Sequence, residues 1–172
     1  LPDALPICFE WALEGGAIES DGNGTLLTTW RCLHQRHPGM SRRELDALLA
    51  SALGAERVLW LEHGYLEGDD TDAHIDTLAR FAPDDAIVFQ ACDDAHDRHH
   101  GELERMRIEI TGLRTIDGRA YRLHELPWPR AIVDDGRRLR PDLGAQCVEL
   151  GALRIAGPER DVVLLLGPRA PE

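Results

Sequence analysis

Residues 13–29 read LEGGAIESDGNGTLLTT, and the choice of fold follows from this segment. Two β-prone segments, 11–18 and 25–32, flank the sequence SDGNG at 20–24. Glycine, asparagine and aspartate readily adopt the positive φ that a tight turn between antiparallel strands requires. The pattern therefore predicts a β-hairpin region over residues 11–33.

Beyond the hairpin, helices and strands are predicted in a repeating order. Ser41 and Glu44 have the spacing of a capping box, and apolar residues then recur at helical intervals up to Gly54. Further on, the sequence predicts strands at 57–62, 74–81 (bent), 86–92 and 121–126, and a second helix at 93–112 with an acidic first turn. The order strand, strand, helix, strand thus occurs twice, which predicts an α/β fold built from a repeated module of roughly 70 residues. After about residue 135 the pattern weakens, and only 147–155 and 161–166 resemble strands.

The composition is that of a globular protein with an acidic excess. Of 172 residues, 43% are hydrophobic, and nineteen arginines with no lysine oppose thirty-one acidic side chains, for a net charge of -12. Nucleic-acid binding needs a net basic face, so this balance argues against it. No apolar run approaches the roughly 18 residues that span a bilayer, and no signal peptide is visible, which argues against a membrane or secreted protein. We therefore expect a cytoplasmic protein whose small partners are cations.

The four cysteines give no metal or disulfide pattern. Cys8, Cys32, Cys92 and Cys147 are scattered, without a CxxC pair. Disulfide frameworks belong to short secreted chains, and zinc ribbons need paired cysteines. We expect small buried hydrophobic side chains, although one of the four could be a nucleophile.

The segment GDDTDAHID at 68–76 is the strongest candidate for chemistry. On a strand, His74 and Asp76 would point to the same face. A histidine beside carboxylates can act as acid and base, and carboxylates match the planar donor fork of a guanidinium. A calcium loop is a competing interpretation, but its Asp-x-Asp-x-Asp-Gly spacing is absent. A solvated acidic loop beside a core histidine explains the same residues, so this alternative interpretation stays open.

Two further clusters carry weaker signals. The Glu14-Gly15-Gly16 run could let the backbone approach a ligand closely, but paired glycines usually serve only a turn. His96 and His100 are four residues apart and could share a helical face as metal ligands. Helix-capping acids and solvated histidines explain that segment as well, and no third ligand can be named.

Together, these segments resemble the agmatine deiminases of the peptidyl-arginine-deiminase-like, Porphyromonas-type family. The resemblance covers about residues 9–134 and is strongest over 13–81. It rests on the order and spacing of these stretches: LEGGAIESDGNGTLLTT at 13–29, Cys32-Leu33 with Arg36-His37-Pro38, WLEHG at 60–64, the acidic run 68–76, and 78–81.

The resemblance implies a fold and an activity. The fold is the pentein fold, a propeller of ββαβ modules around a substrate channel, of which this chain would hold about two modules and a remnant. The activity is hydrolysis of agmatine to N-carbamoylputrescine and ammonia, in putrescine biosynthesis, without a metal or organic cofactor. A cysteine thiolate would attack the guanidinium carbon to give a thiouronium intermediate, while a histidine moves protons. The full-length family member could be a homo-oligomer.

Four residues of this chain match functional positions of the family. His74 matches the family histidine, and Asp76 matches the aspartate that grips the guanidinium. Asp70 matches an acidic position near the amine end of the substrate. Glu14 lies in the family's Glu-Gly-Gly motif, among the expected substrate-binding residues, although the motif alone gives it no definite role.

Other family motifs are missing. The nucleophile's Gly-x-x-His-Cys motif does not occur, Cys147 lies in the unrelated sequence GAQCVEL, and no upstream Trp-x-Arg-Asp segment is found. We therefore expect an uncertain tail at 1–8, a partial pentein domain at 9–135, and a divergent segment at 136–172 such as a shifted reading frame would produce. On this view the chain is a fragment that lacks both ends and, without a nucleophile, is inactive alone.

Two other hypotheses remain at this stage. The acidic loop could belong to a non-catalytic module that binds agmatine, another polyamine or calcium. Alternatively, the chain could be a truncated translation product that does not fold stably, because opening a closed propeller exposes strand edges that are normally covered.

Overall fold

The computed structural model describes residues 11–66 and 73–128 in full and, beyond them, four short strands. The chain divides into two compact units, Leu1–Trp128 and Pro129–Glu172. The first unit contains all the residues discussed below as a site.

The first unit begins with a module whose sheet follows directly from the quoted segment. Strands β1 (Ile18–Ser20) and β2 (Thr25–Thr29) pair antiparallel, and β2 pairs parallel with β3 (Arg57–Leu61). The turn between β1 and β2 has positive φ at Gly22 and Gly24, as the predicted hairpin requires. Helices α1 (Trp30–Arg36) and α2 (Arg42–Leu53) form the crossover that parallel pairing needs.

A second module repeats this topology. Strands β4 (Ala79–Ala82) and β5 (Ala86–Gln90) pair antiparallel, helix α3 (His100–Gly112) crosses over, and β6 (Arg122–Leu126) pairs parallel with β5. The predicted order of strand, strand, helix, strand is thus observed twice, and the α/β class is confirmed.

Helix α2 has the predicted ends. The Ser41 side chain accepts a hydrogen bond from the Glu44 backbone N–H, and the Glu44 carboxylate accepts one from the Ser41 backbone N–H. Gly54, with φ of 71°, ends the helix in the left-handed conformation.

Four predicted boundaries were wrong. The predicted β segment 11–18 reaches a strand only at Ile18, because Gly15–Ala17 forms a 3-10 turn. The predicted strand 25–32 ends at Thr29, where the Thr29 hydroxyl caps α1 by accepting a hydrogen bond from the Cys32 N–H, so Cys32 is helical. The predicted strand 74–81 begins only at Ala79, because Ile75–Thr77 forms a 3-10 turn. The predicted helix 93–112 begins only at His100, because the Asp94 and Asp97 carboxylates accept hydrogen bonds from nearby backbone N–H groups and form turns instead.

Two apolar clusters hold the modules. One lies within the first module, between its sheet and its helices, and is formed by Ala17, Leu26, Cys32, Leu33, Leu45 and Leu49. The other joins the modules, because Leu27 and Leu61 pack with Ile87, Phe89 and the buried face of α3. Cys32 and Cys92 are buried thiols, as predicted, whereas Cys8 and Cys147 lie outside the described residues.

The second unit contains two antiparallel strand pairs, Ile132–Asp134 with Arg137–Leu139 and Leu153–Ala156 with Asp161–Leu164. The last two strands overlap the predicted ones at 147–155 and 161–166. Along the described segments, every helix is too short or too polar to cross a membrane.

Candidate active site

Glu14 and His74 meet where two loops of the first unit come together. Glu14 precedes the 3-10 turn Gly15–Ala17, and His74 precedes the turn Ile75–Thr77. His74 Nε2 lies 2.8 Å from Glu14 Oε2. An ionised carboxylate can only accept a hydrogen bond, so His74 Nε2 carries a proton and donates to Glu14. The second ring nitrogen, Nδ1, is not part of this hydrogen bond.

Arg36 fixes the Glu14 carboxylate from the other side. Its Nε donates to Glu14 Oε2 and its Nη2 donates to Glu14 Oε1, each at 3.0 Å. The pKa of Glu14 lies below its ordinary value, chiefly because of the Arg36 hydrogen bonds and next because of the one from His74. Glu14 is therefore an anion held in one orientation, with His74 directly against it.

Gly16 brings Asp76 into the same site. A Cβ atom on Gly16 would lie 2.6 Å from both Asp76 Oδ2 and His74 Nδ1, whereas a Cβ on Gly15 would contact nothing within 4 Å. Gly16 is therefore the glycine that needs to lack a side chain, since Asp76 and His74 both pack against its α-carbon. His74 Nδ1 and the Asp76 carboxylate consequently lie on the same side of this backbone.

The end of β2 positions both loops. The Thr28 hydroxyl donates to the Ala17 carbonyl oxygen, and the Thr29 hydroxyl donates to that of Ala73, each at 2.7 Å. Ala73 has φ of 66°, an uncommon conformation for a residue with a Cβ, and the Thr29 hydrogen bond stabilises it. The residue before His74 is thus held by a buried contact with the neighbouring strand.

A second carboxylate, that of Glu19, lies near Asp76. Glu19 is 11% exposed and pairs with Arg80 Nε at 2.6 Å. Burial raises the pKa of Glu19 above its ordinary value, the Arg80 charge opposes this, and the Asp76 charge adds to it. Glu19 and Glu14 are each paired with an arginine, so Asp76 is the carboxylate of this group for which no arginine pair is described.

The structure brings together three of the four predicted site residues. His74 and Asp76 pack against Gly16, and Glu14 bonds to the other ring nitrogen of His74. Asp76 lies in a 3-10 turn that His74 precedes, and not on the predicted strand. Asp70 lies outside the described residues. Arg36 and Glu19 were missed as site residues, because both act through contacts between distant segments, although both lie in stretches that carried the family resemblance.

The helical face that His96 and His100 were considered to share does not form. His96 precedes α3 and His100 begins it, so the two do not share a helical face. His100 Nδ1 instead lies 2.6 Å from the Cys92 carbonyl oxygen.

Comparison with known proteins points to one family. The model of the Porphyromonas-type peptidyl-arginine deiminases matches residues 3–142. The agmatine deiminase of Stutzerimonas stutzeri is 36% identical over 121 residues, which are 69% of this chain and 33% of that protein. The chain therefore spans about a third of the length of such relatives.

Two solved structures have a similar fold. The C. jejuni agmatine deiminase with substrate bound matches with a TM-score of 0.68 and 37% identity, over 76% of this chain and 38% of that one. The Enterococcus faecalis agmatine deiminase matches with a TM-score of 0.67 and 27% identity, over 74% and 36%.

Proposed function

Since the chain belongs to the Porphyromonas-type peptidyl-arginine deiminase family, we propose that it carries the acid–base and guanidinium-binding part of an agmatine deiminase site. The reaction is hydrolysis of agmatine to N-carbamoylputrescine and ammonia. The observation that supports this most is that His74 and Asp76 pack together against Gly16 while Glu14 bonds to His74.

Each of these residues has a distinct task. The Asp76 carboxylate accepts hydrogen bonds from the guanidinium, whose planar fork pairs with carboxylates. Glu14 fixes the proton on His74 Nε2, so that Nδ1, on the Asp76 side, exchanges protons with the substrate. Arg36 holds Glu14 ionised. We assign Asp70 to the amine end of agmatine on the family resemblance alone.

The chemical step uses a cysteine thiolate that has no matching motif in this chain. Its sulfur bonds to the guanidinium carbon, and His74 gives a proton to the departing nitrogen, which leaves as ammonia. His74 then removes a proton from water, and the water oxygen bonds to the thiouronium carbon. The carbon–sulfur bond breaks to release the thiolate, and the remaining hydroxyl proton passes to solvent to give the ureido product.

The wider context is also part of the proposal. We place the reaction in putrescine biosynthesis in the cytoplasm, without a metal or organic cofactor, on a pentein propeller that can form a homo-oligomer. The two ββαβ modules support the propeller, and the chemistry of two carboxylates and a histidine supports a reaction without a cofactor.

This chain alone should not turn over agmatine, because it lacks the Gly-x-x-His-Cys motif. The test is a colorimetric assay for the ureido product with purified chain and agmatine. No product is expected. Turnover that Cys147→Ala abolishes would contradict the proposal and make Cys147 the nucleophile.

Agmatine binding tests the site without turnover. By calorimetric titration, Asp76→Asn should weaken agmatine binding about tenfold or more, because a charge-assisted hydrogen bond contributes about 1.5–3 kcal/mol. The charge-matched control is Asp84→Asn, which removes an exposed carboxylate paired with Arg122. Affinity that survives Asp76→Asn would remove this site from the proposal, and calcium binding instead would favour the cation-binding module.

A further inference from the structure

A buried thiol lies beside the Glu14–His74 pair. One donor atom each from Glu14, Cys32 and His74 lies within 4.8 Å of the other two. A carboxylate oxygen, a thiolate and an imidazole nitrogen are the three ligand types that zinc prefers in proteins. We propose that Glu14, Cys32 and His74 form a zinc-binding site that competes with the acid–base function of His74.

The donors come near tetrahedral spacing after small movements. Zinc binds sulfur at about 2.3 Å and nitrogen or oxygen at about 2.0–2.2 Å, which separates the ligand atoms of a tetrahedron by roughly 3.2–3.7 Å. The 2.8 Å between His74 Nε2 and Glu14 Oε2 therefore needs to open by about half an ångström, and any donor pair near the 4.8 Å limit needs to close by about an ångström. With three protein ligands, the fourth position is taken by water, as in zinc sites that remain open.

The three donors differ in exposure. The Glu14 side chain is 44% exposed and that of His74 is 12% exposed, whereas Cys32 is fully buried. Solvent therefore reaches the carboxylate more readily than the thiol. Zinc binding displaces the proton shared by Glu14 and His74 and the proton of the thiol, so proton release accompanies it.

The positive charge of Arg36 opposes the metal. Arg36 engages both Glu14 oxygens, including Oε2, which also faces His74. Zinc must therefore compete with the guanidinium for the carboxylate and tolerate a positive charge beside it. Removal of Arg36 should therefore strengthen zinc binding rather than weaken it, which distinguishes this site from one that the arginine merely supports.

A zinc ion in this site binds His74 Nε2, the nitrogen that otherwise bonds to Glu14. A histidine bound to zinc through Nε2 cannot become an imidazolium, so its Nδ1 loses the readily transferred proton that His74 gives to the departing nitrogen. The consequence, inhibition by zinc, rests on the proposed function; the binding itself does not.

Cobalt titration of the full chain, prepared without a histidine tag, tests the binding. Cobalt(II) substitutes for zinc and gives a near-ultraviolet charge-transfer band when a thiolate binds it, and zinc should then displace it. Cys32→Ser should abolish the band, and Glu14→Gln should weaken cobalt affinity by more than tenfold. Arg36→Gln should tighten it several-fold.

Matched variants identify the thiol. Cys92→Ser removes the other buried thiol of the described residues and should keep the band, as should the triple variant Cys8→Ser, Cys92→Ser, Cys147→Ser. A band that persists in Cys32→Ser, or that is missing from the wild type, overturns the proposal. If Cys32→Ser unfolds by circular dichroism, Glu14→Gln decides, since its side chain is on the surface. The cobalt titration measures metal affinity without turnover. Failure of the zinc proposal therefore leaves the deiminase proposal standing, and failure of the deiminase proposal leaves zinc binding standing.

Discussion

Gly16 is the residue on which the geometry of the site depends most directly. Gly16→Ala places a methyl group 2.6 Å from Asp76 Oδ2 and His74 Nδ1, so both side chains have to move. Asp76 is exposed and can rotate away, which keeps the loss of stability small. We therefore expect Gly16→Ala to weaken agmatine binding about tenfold, or about 1.4 kcal/mol, by calorimetry.

Gly15→Ala is the matched control for this prediction. It adds the same methyl group one residue earlier, where no atom lies within 4 Å. Its agmatine affinity should equal that of the wild type. Equal losses in both variants would mean that the turn needs glycine for backbone freedom, and that close approach to His74 and Asp76 plays no part.

Arg36 controls the protonation of Glu14. Because its hydrogen bonds are the largest cause that lowers the pKa of Glu14, Arg36→Gln should raise that pKa. A carboxyl whose folded pKa is lowered stabilises the protein above its unfolded pKa, and that contribution disappears as the pH falls through the folded pKa. The Glu14–His74 contact should therefore break at a higher pH in the variant, as measured by carboxyl carbon NMR shifts.

The control for Arg36→Gln is Arg43→Gln, which removes an exposed arginine from α2. It should leave the Glu14 titration unchanged. If both variants shift it alike, the loss of general positive charge, and not the paired hydrogen bonds of Arg36, would be the cause.

At the level of single helices and strands, Ser41 tests the capping of α2. Ser41→Ala removes the side chain that caps the Glu44 N–H and should lower the free energy of unfolding by about 1 kcal/mol. Ser51→Ala, inside the same helix, is the matched control and should leave stability unchanged or slightly higher, since alanine favours helix interiors. Urea unfolding measures both, and a loss in Ser51→Ala as large as that in Ser41→Ala would contradict the capping role.

The same helix shows what the sequence alone could predict. Helix α2 has a local cap, a helical spacing of apolar residues and a glycine at its end. Each of these features involves residues close together in the sequence, so the sequence alone predicted them. Helix α1 has seven residues and a threonine cap that also donates to the Ala73 carbonyl, 44 residues away, so its start depends on a distant contact. The turn that carries His74 and Asp76 depends on that same contact. The residue types of the site were therefore predictable, whereas the Glu14–His74 bond, across 60 residues, was not.

Across the whole first unit, Arg57 links the two modules. From the start of β3 it donates to the Thr25 hydroxyl of its own module at 3.0 Å. It also donates to the Thr115 carbonyl oxygen at 3.2 Å and the Tyr121 hydroxyl at 3.1 Å, both next to the second module's sheet. One side chain therefore makes polar contacts with both modules, in addition to the apolar cluster that Leu27 and Leu61 share with α3.

Arg57→Gln should consequently destabilise the unit and uncouple its modules. Hydrogen bonds from a charged group contribute about 1.5–3 kcal/mol, so we expect a loss of about 2 kcal/mol in urea unfolding. If the modules then unfold separately, the apparent m-value should also fall, because two overlapping transitions look broader than one. Arg57→Lys should recover little of the lost stability, since an ammonium cannot make the forked contacts. The control Arg43→Gln should change stability by less than about 0.5 kcal/mol.

Tyr121 reports the same link independently. Its pKa is raised chiefly by burial and lowered by the Arg57 charge, so Arg57→Gln should raise the Tyr121 pKa further in a spectroscopic titration. An unchanged urea midpoint together with an unchanged Tyr121 titration would mean that the shared apolar cluster alone joins the modules.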